Sequence, residues 1–184
     1  MNKSLLLKST LALALAAPLL AQAESNVATN AAANAGGAGA SARLNVSITI
    51  PRFISLQVGT TGTNNVDTVA FVLNETQATT GGAVNATSGS PVNVALRSNV
   101  GSVDLEASGG NLSDGTNNIP LTDLSVTTTG DLAHPAFGGS LPVAPNVGTA
   151  VINRSGTWAY TYNHNTSRAA GTYTATVTYT ASAP

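Results

Sequence analysis

From Arg43 onward, apolar and polar residues alternate in short runs bounded by glycine, proline and asparagine, the period-two pattern of strands. Leu44, Val46, Ile48 and Ile50 alternate with Asn45, Ser47 and Thr49, and Pro51 closes or bends that first run. A second register sets Ile54, Leu56 and Val58 on one face and stops at Gly59. Residues 66–73 predict another strand. Val92, Val94 and Leu96 then alternate with Asn93, Ala95 and Arg97, and Val103, Leu105 and Ala107 alternate with Asp104 and Glu106. Residues 99–102 between them predict a hairpin turn in which Gly101 takes a positive φ. Residues 119–126, 149–153 and 158–162 predict further strands, and the Gly/Pro-rich stretch 130–145 a long surface loop. The closing run, 171–180, is the most regular: Tyr173, Ala175, Val177 and Tyr179 face one way and five threonines the other.

Eight or nine closely spaced short strands without a convincing helix predict an all-β fold, an antiparallel β-sandwich, with a small β-barrel as the alternative. Composition agrees. Thr, Asn, Ser, Gly and Ala dominate, and only 8 % of residues are charged. Residues 43–184 are expected to form one domain.

The amino terminus changes the picture of where this domain works. Lys3 and Lys8, an apolar run over 11–20 and the triplet Ala21, Gln22, Ala23 predict a signal peptide over residues 1–23. The run is too short to span a bilayer comfortably, and no membrane span is expected elsewhere. The product is therefore expected to be exported, to the periplasm, the cell surface or the medium. Residues 24–42 are Ala/Gly/Asn-rich and lack large apolar side chains, which predicts a flexible tether.

Cleavage would remove both lysines and leave five arginines against eight carboxylates, a formal charge of −3. With no basic cluster to displace counterions, nucleic acid is excluded as a partner. The chain has no cysteine, so disulfides are excluded, and without lysine so are Lys–Asn isopeptide staples.

Candidate chemistry is sparse. Trp158, Tyr160 and Tyr162 share a strand face that can pair with Tyr173, Val177 and Tyr179; such a row is either an aromatic platform for a glycan or part of the core, and the core is favoured. Asp104 and Glu106 share a face but alternate with Val103 and Leu105, which puts them in solvent rather than across a catalytic cleft. Residues 113–118 contain the oxygens of a calcium loop without its further carboxylates, so a polar turn is expected. His134 and His164 stand apart from any cluster at metal-ligand spacing, and no G-x-S-x-G elbow occurs. No catalytic residue, metal or cofactor is expected, and the chain is read as non-enzymatic.

One arrangement carries functional content. A tether followed by the apolar strand Leu44, Val46, Ile48 and Ile50 is the layout of a subunit that can insert its first strand into a neighbour's open sheet edge. Pairing of that strand within its own domain is the simpler expectation, because it carries no association cost.

The closing run, with Gly171 fourteenth from the end and Tyr173, Val177 and Tyr179 behind it, resembles the last strand of secreted bacterial fimbrial (pilin-like) β-sandwich subunits. It is also similar to the ending of uncharacterised secreted Gram-negative proteins. The fimbrial resemblance implies an Ig-like or pilin-like sandwich, a structural or adhesive role, and partners that are further copies or other surface subunits, joined by strand exchange. The chain departs from that family in lacking its cysteine pair and in continuing through Thr180 to Pro184 after the near-terminal aromatic.

Overall fold

In the computed structural model, which describes residues 40–62 and 66–184, the alternating runs become strands with alternating burial. In chain order these are β1 (Ile54–Val58), α1 (Glu75–Thr80), β2 (Gly82–Asn85), β3 (Val92–Ser98), β4 (Val103–Gly109), β5 (Leu112–Ser113), β6 (Asn118–Ile119), a 3-10 turn (Leu121–Asp123), β7 (Leu124–Gly130), β8 (Gly139–Val143), β9 (Ile152–His164) and β10 (Val177–Ser182). Two antiparallel sheets pack together as an all-β sandwich.

The first sheet is built on β9. Its Ile152–Trp158 half pairs with β3 and its last four residues with β2, while β7 runs along the opposite side, so that Trp158 is flanked by Val92 and Thr128. β1 adds to the far side of β3. The second sheet has β4 at its centre, between β10 and β8. Val92, Val94 and Leu96 from β3 meet Val103 and Leu105 from β4, with Ile152, Trp158 and Tyr160 filling the layer between. The Trp158 indole N–H donates to the Leu132 carbonyl at 2.9 Å, so the largest buried ring leaves no orphaned donor.

Several elements differ from the sequence reading, each for an identifiable reason. Residues 99–102 do not close a hairpin; they carry the chain from β3 in one sheet to β4 in the other, with Gly101 at φ 91° as its turn demands. Residues 149–153 and 158–162 belong largely to one strand of 13 residues, whose apolar row is interrupted at Arg154 and Gly156. A Cβ on Gly156 would come within 2.2 Å of the Thr129 carbonyl oxygen, so that position must stay bare for β7 to pair. Residues 66–73 make a single bridge, Ala70 to Ser88, rather than a strand.

The sequence reading also missed α1, although its capping box is in plain view. Asn74 Oδ1 accepts from the Gln77 N–H at 2.8 Å, and Gln77 Oε1 from the Asn74 N–H at 3.0 Å. The 130–145 loop contains β8, and Pro120 with the 3-10 turn divides the strand expected over 119–126. The closing strand is shorter than its alternation suggests, beginning at Val177, and it pairs with β4 rather than with 158–162.

The compact unit runs Pro51–Pro184, whereas the sequence reading began the domain at Arg43. Residues 40–50 take up neither helix nor strand, so the strand expected at 44–50 is not formed. Its apolar side chains lie in solvent: Leu44 is 69 %, Val46 76 %, Ile48 81 % and Ile50 76 % exposed. The signal peptide over 1–23, and the tether up to residue 39, lie outside the described residues.

Candidate functional site

A two-sheet sandwich has two lateral seams, and this one closes them unequally. On one side the connection between β7 and β8 tucks Leu132 and Pro135 fully into the interior, with His134 and Phe137 half-buried beside them. Backbone bonds fix it: Asp131 N–H to the Ser155 carbonyl at 2.8 Å and Gly138 N–H to the Ala107 carbonyl at 2.7 Å. What remains beside Leu124 and Val126 is a shallow groove of about 460 Å³. The stretch expected to be a surface loop thus serves as a plug.

On the other side β1 and β10 lie close together, one from each sheet. Among the described residues each is hydrogen-bonded on one side only, β1 to β3 and β10 to β4. Their inward side chains, Ile54, Leu56 and Val58 opposite Val177, Tyr179 and Ala181, are half-buried where the central strands are fully buried. Two free edges flanking a half-covered apolar row are a template for another strand.

Asn99 governs how the chain enters β1. Its N–H donates to the Phe53 carbonyl at 3.3 Å, its Oδ1 accepts from the Phe53 N–H at 2.9 Å, and its Nδ2 donates to the Pro51 carbonyl at 2.8 Å. These bonds prolong the ladder beyond the Ile54 to Ser98 pair, so residues 51–53 run along the end of β3. A hairpin returning 44–50 against β1 would need the same three residues as its turn.

The inner wall of β10 is anchored by a cluster that sequence reading did not assemble. His134 Nε2 lies 2.8 Å from the Tyr179 hydroxyl, which lies 2.9 Å from the Tyr160 hydroxyl. The imidazole stands edge-on to Trp158 at 4.7 Å and to Phe137 at 5.0 Å between ring centroids. Burial among these rings pulls the imidazole pKa down to about 4, against a smaller upward pull from the Pro135 carbonyl. Burial likewise pushes the Tyr160 and Tyr179 phenols up. Nothing local in the sequence around His134 marks it, because its partners come from β9 and β10.

The other candidates take ordinary structural places. Trp158, Tyr160 and Tyr162 face inward and are 0 %, 8 % and 8 % exposed, so they offer no platform for a sugar ring. The outer face of β9 goes to Thr157, Ala159 and Thr161, and Trp158 meets Tyr179 across the core rather than as a neighbouring strand. Glu106 is on the outer face of β4 and Asp104 beside it is partly covered, with Ser140 and Pro142 opposite.

Asp114 spends its carboxylate on its own turn, accepting from the Thr116 N–H at 2.8 Å and the Asn117 N–H at 2.6 Å. The Asn117 bonds, with the Thr116 amide, hold its carboxyl down to about 2. Among the described residues no three His, Cys, Asp or Glu side chains gather at a point that could hold a metal. His164 lies between the Tyr162 hydroxyl at 3.2 Å and the Ala78 carbonyl at 3.3 Å, tying α1 to β9.

Comparison with protein-family models, curated proteins and solved structures returns no match. No helix among the described residues is long and apolar enough to cross a membrane.

Proposed function

We propose that this chain is an exported, non-enzymatic structural or adhesive subunit of the cell surface that assembles by strand donation. Residues 44–50 of one copy lie along the seam between β1 and β10 of the next. The observation that carries this reading is the state of those residues: four large aliphatic side chains in strict alternation, at least two-thirds exposed. Scattered apolar residues on a surface need no explanation, but a period-two apolar row in solvent is a strand face without a sheet.

The dimensions agree. Seven residues extend about 23 Å at roughly 3.3 Å each, and the six residues of β10 about 20 Å. Burying four aliphatic side chains contributes roughly 6–10 kcal/mol. That is the same order as the cost of association, so the added ladder hydrogen bonds tip the balance. Donation to a neighbour, rather than return to the same domain, is favoured by the Asn99 clasp on residues 51–53. Export rests on the pattern of Lys3, Lys8, the apolar run and Ala23.

Light scattering and electron microscopy of the leader-free chain test the reading. Wild type is expected to give concentration-dependent linear assemblies, and the double variant V46D/I48D a monomer with an unchanged melting temperature. A wild type that stays monomeric across a wide concentration range would remove the proposal.

A further inference from the structure

His134 sits where the two seams of the sandwich communicate. It belongs to the plug between β7 and β8, yet its Nε2 bonds to the hydroxyl of Tyr179, the middle inward residue of β10. β10 is held to the body of the protein by its ladder with β4, by the packing of Ala181 on the core and by this side chain, which packs on Trp158 at 5.1 Å and continues to the Tyr160 hydroxyl. We propose that protonation of His134 releases Tyr179 and loosens β10, making the seam between β1 and β10 an acid-sensitive docking edge. The proposal rests on the strand-donation reading for its biological consequence, but not for its physical content.

The groups around the imidazole make it a one-way sensor. From β9 come Trp158 and Tyr160, from β10 Tyr179, from its own connection Phe137 and Pro135, and beside the groove Leu124, Val126 and Thr128 from β7. The titratable groups among these are the two tyrosines, both pushed towards the neutral form, and none is a carboxylate that could stabilise an imidazolium.

With the neutral ring's proton on Nδ1, Nε2 accepts from the Tyr179 hydroxyl, and the Tyr160 hydroxyl lies next in line. A second proton, on Nε2, turns that nitrogen into a donor towards the Tyr179 hydroxyl and places a charge among four aromatic rings, with water only on the side of the ring that faces the groove. Opening the Tyr179 contact hydrates the charge, so acid favours the loosened strand.

The sign follows from the folded and unfolded affinities for the proton. The unfolded chain takes a proton on this ring near the ordinary 6.5, the folded chain only near about 4. Between those values the unfolded or opened form binds more protons. Stability is therefore complete above about pH 6.5 and is lost as the pH falls towards 4. Allowing for the partial exposure of the ring, the opening constant is expected to rise about tenfold between pH 7 and pH 4.5.

Four measurements on the leader-free chain test this. Melting temperature and near-ultraviolet circular dichroism, which reports the Trp158 and Tyr179 packing, are followed from pH 7 to pH 4.5 in wild type, H134Q and the control H164Q. Glutamine offers Tyr179 an acceptor and takes no proton, so H134Q is expected to lose the decline that wild type and H164Q both show. Parallel declines in wild type and H134Q would overturn the proposal.

Should H134Q fail to fold, an NMR titration of the wild-type imidazole decides. A ring that titrates near 6.5 with the Tyr179 resonances unmoved would overturn it; titration well below 6.5 with Tyr179 moving in step would support it. Exchange of labelled copies between assemblies is expected to run about tenfold faster at pH 4.5 than at pH 7 in wild type and to be pH-independent in H134Q. If no assemblies form, strand donation fails while the other three measurements still judge the His134 switch.

Discussion

Gly156 and Trp158 stand two residues apart on β9 and set opposite requirements: one position must hold nothing and the other must be filled. G156A places a methyl against the Thr129 carbonyl from the paired strand, and with backbone on both sides neither can give way cheaply. It is expected to destabilise by about 2 kcal/mol or more, read as a lower urea midpoint together with faster amide exchange along β7. W158A leaves a void at the centre of the core and the Leu132 carbonyl without its donor, for an expected loss of about 3–5 kcal/mol.

Asp114 supplies a pH signature separable from that of His134. Its folded pKa is depressed below the ordinary 3.8, so its contribution is present above that value and is lost as the pH falls towards 2. The D114N variant is expected to flatten the stability profile below pH 4 and leave the window between pH 4 and 6.5 untouched. Urea titrations at stepped pH check both limits.

At the scale of elements, alternation reveals which face of a strand is buried and says nothing of which strand lies beside it. β3 and β4 were legible at their starts and along their apolar rows, from Val92 through Leu96 and from Val103 through Ala107, because both are central and buried on one face. That they belong to different sheets was not legible, since a turn at 99–102 serves a crossover as readily as a hairpin. β9 was read as two pieces because Gly156 answers to a neighbouring backbone rather than to the core. The plug over 131–138 looked like a loop because its buried residues follow no period.

Of the candidate site, the donor row Leu44, Val46, Ile48 and Ile50 was legible as an apolar row, but its exposure was not. The receiving seam was legible only as an open sheet edge, without the strands that form it. Asn99, whose three bonds define how the chain enters β1, carries no sequence mark beyond its place in a turn. N99A is expected to cost about 1–2 kcal/mol and to speed amide exchange at Phe53, while leaving β4 and β10 protected.

For the whole molecule, among the described residues, the sandwich over Pro51–Pro184 has a filled core, one plugged seam and one seam whose two edge strands lack a second partner, and residues 44–50 expose a period-two apolar row. Both surfaces are apolar and of strand-like period, and Asn99 holds residues 51–53 against the end of β3. The proposed assembly joins the two between neighbouring copies, repeated along a fibre. Because the chain contains no cysteine, single cysteines can be placed at will.

The most direct measurement mixes copies carrying one cysteine at Asn45, Ser47 or Thr49 with copies carrying one at Thr178 or Thr180, and scores interchain disulfides under mild oxidation. Paired strands bring such residues to the 4.5–5.5 Å Cα separation that a disulfide accepts, to about half an ångström. The account predicts cross-links between the donor and β10 positions of different copies at one register, and none to a control cysteine at Thr127 on the outer face of β7. No cross-link between the donor and β10 positions at any register, or cross-links equally frequent at Thr127, would contradict it.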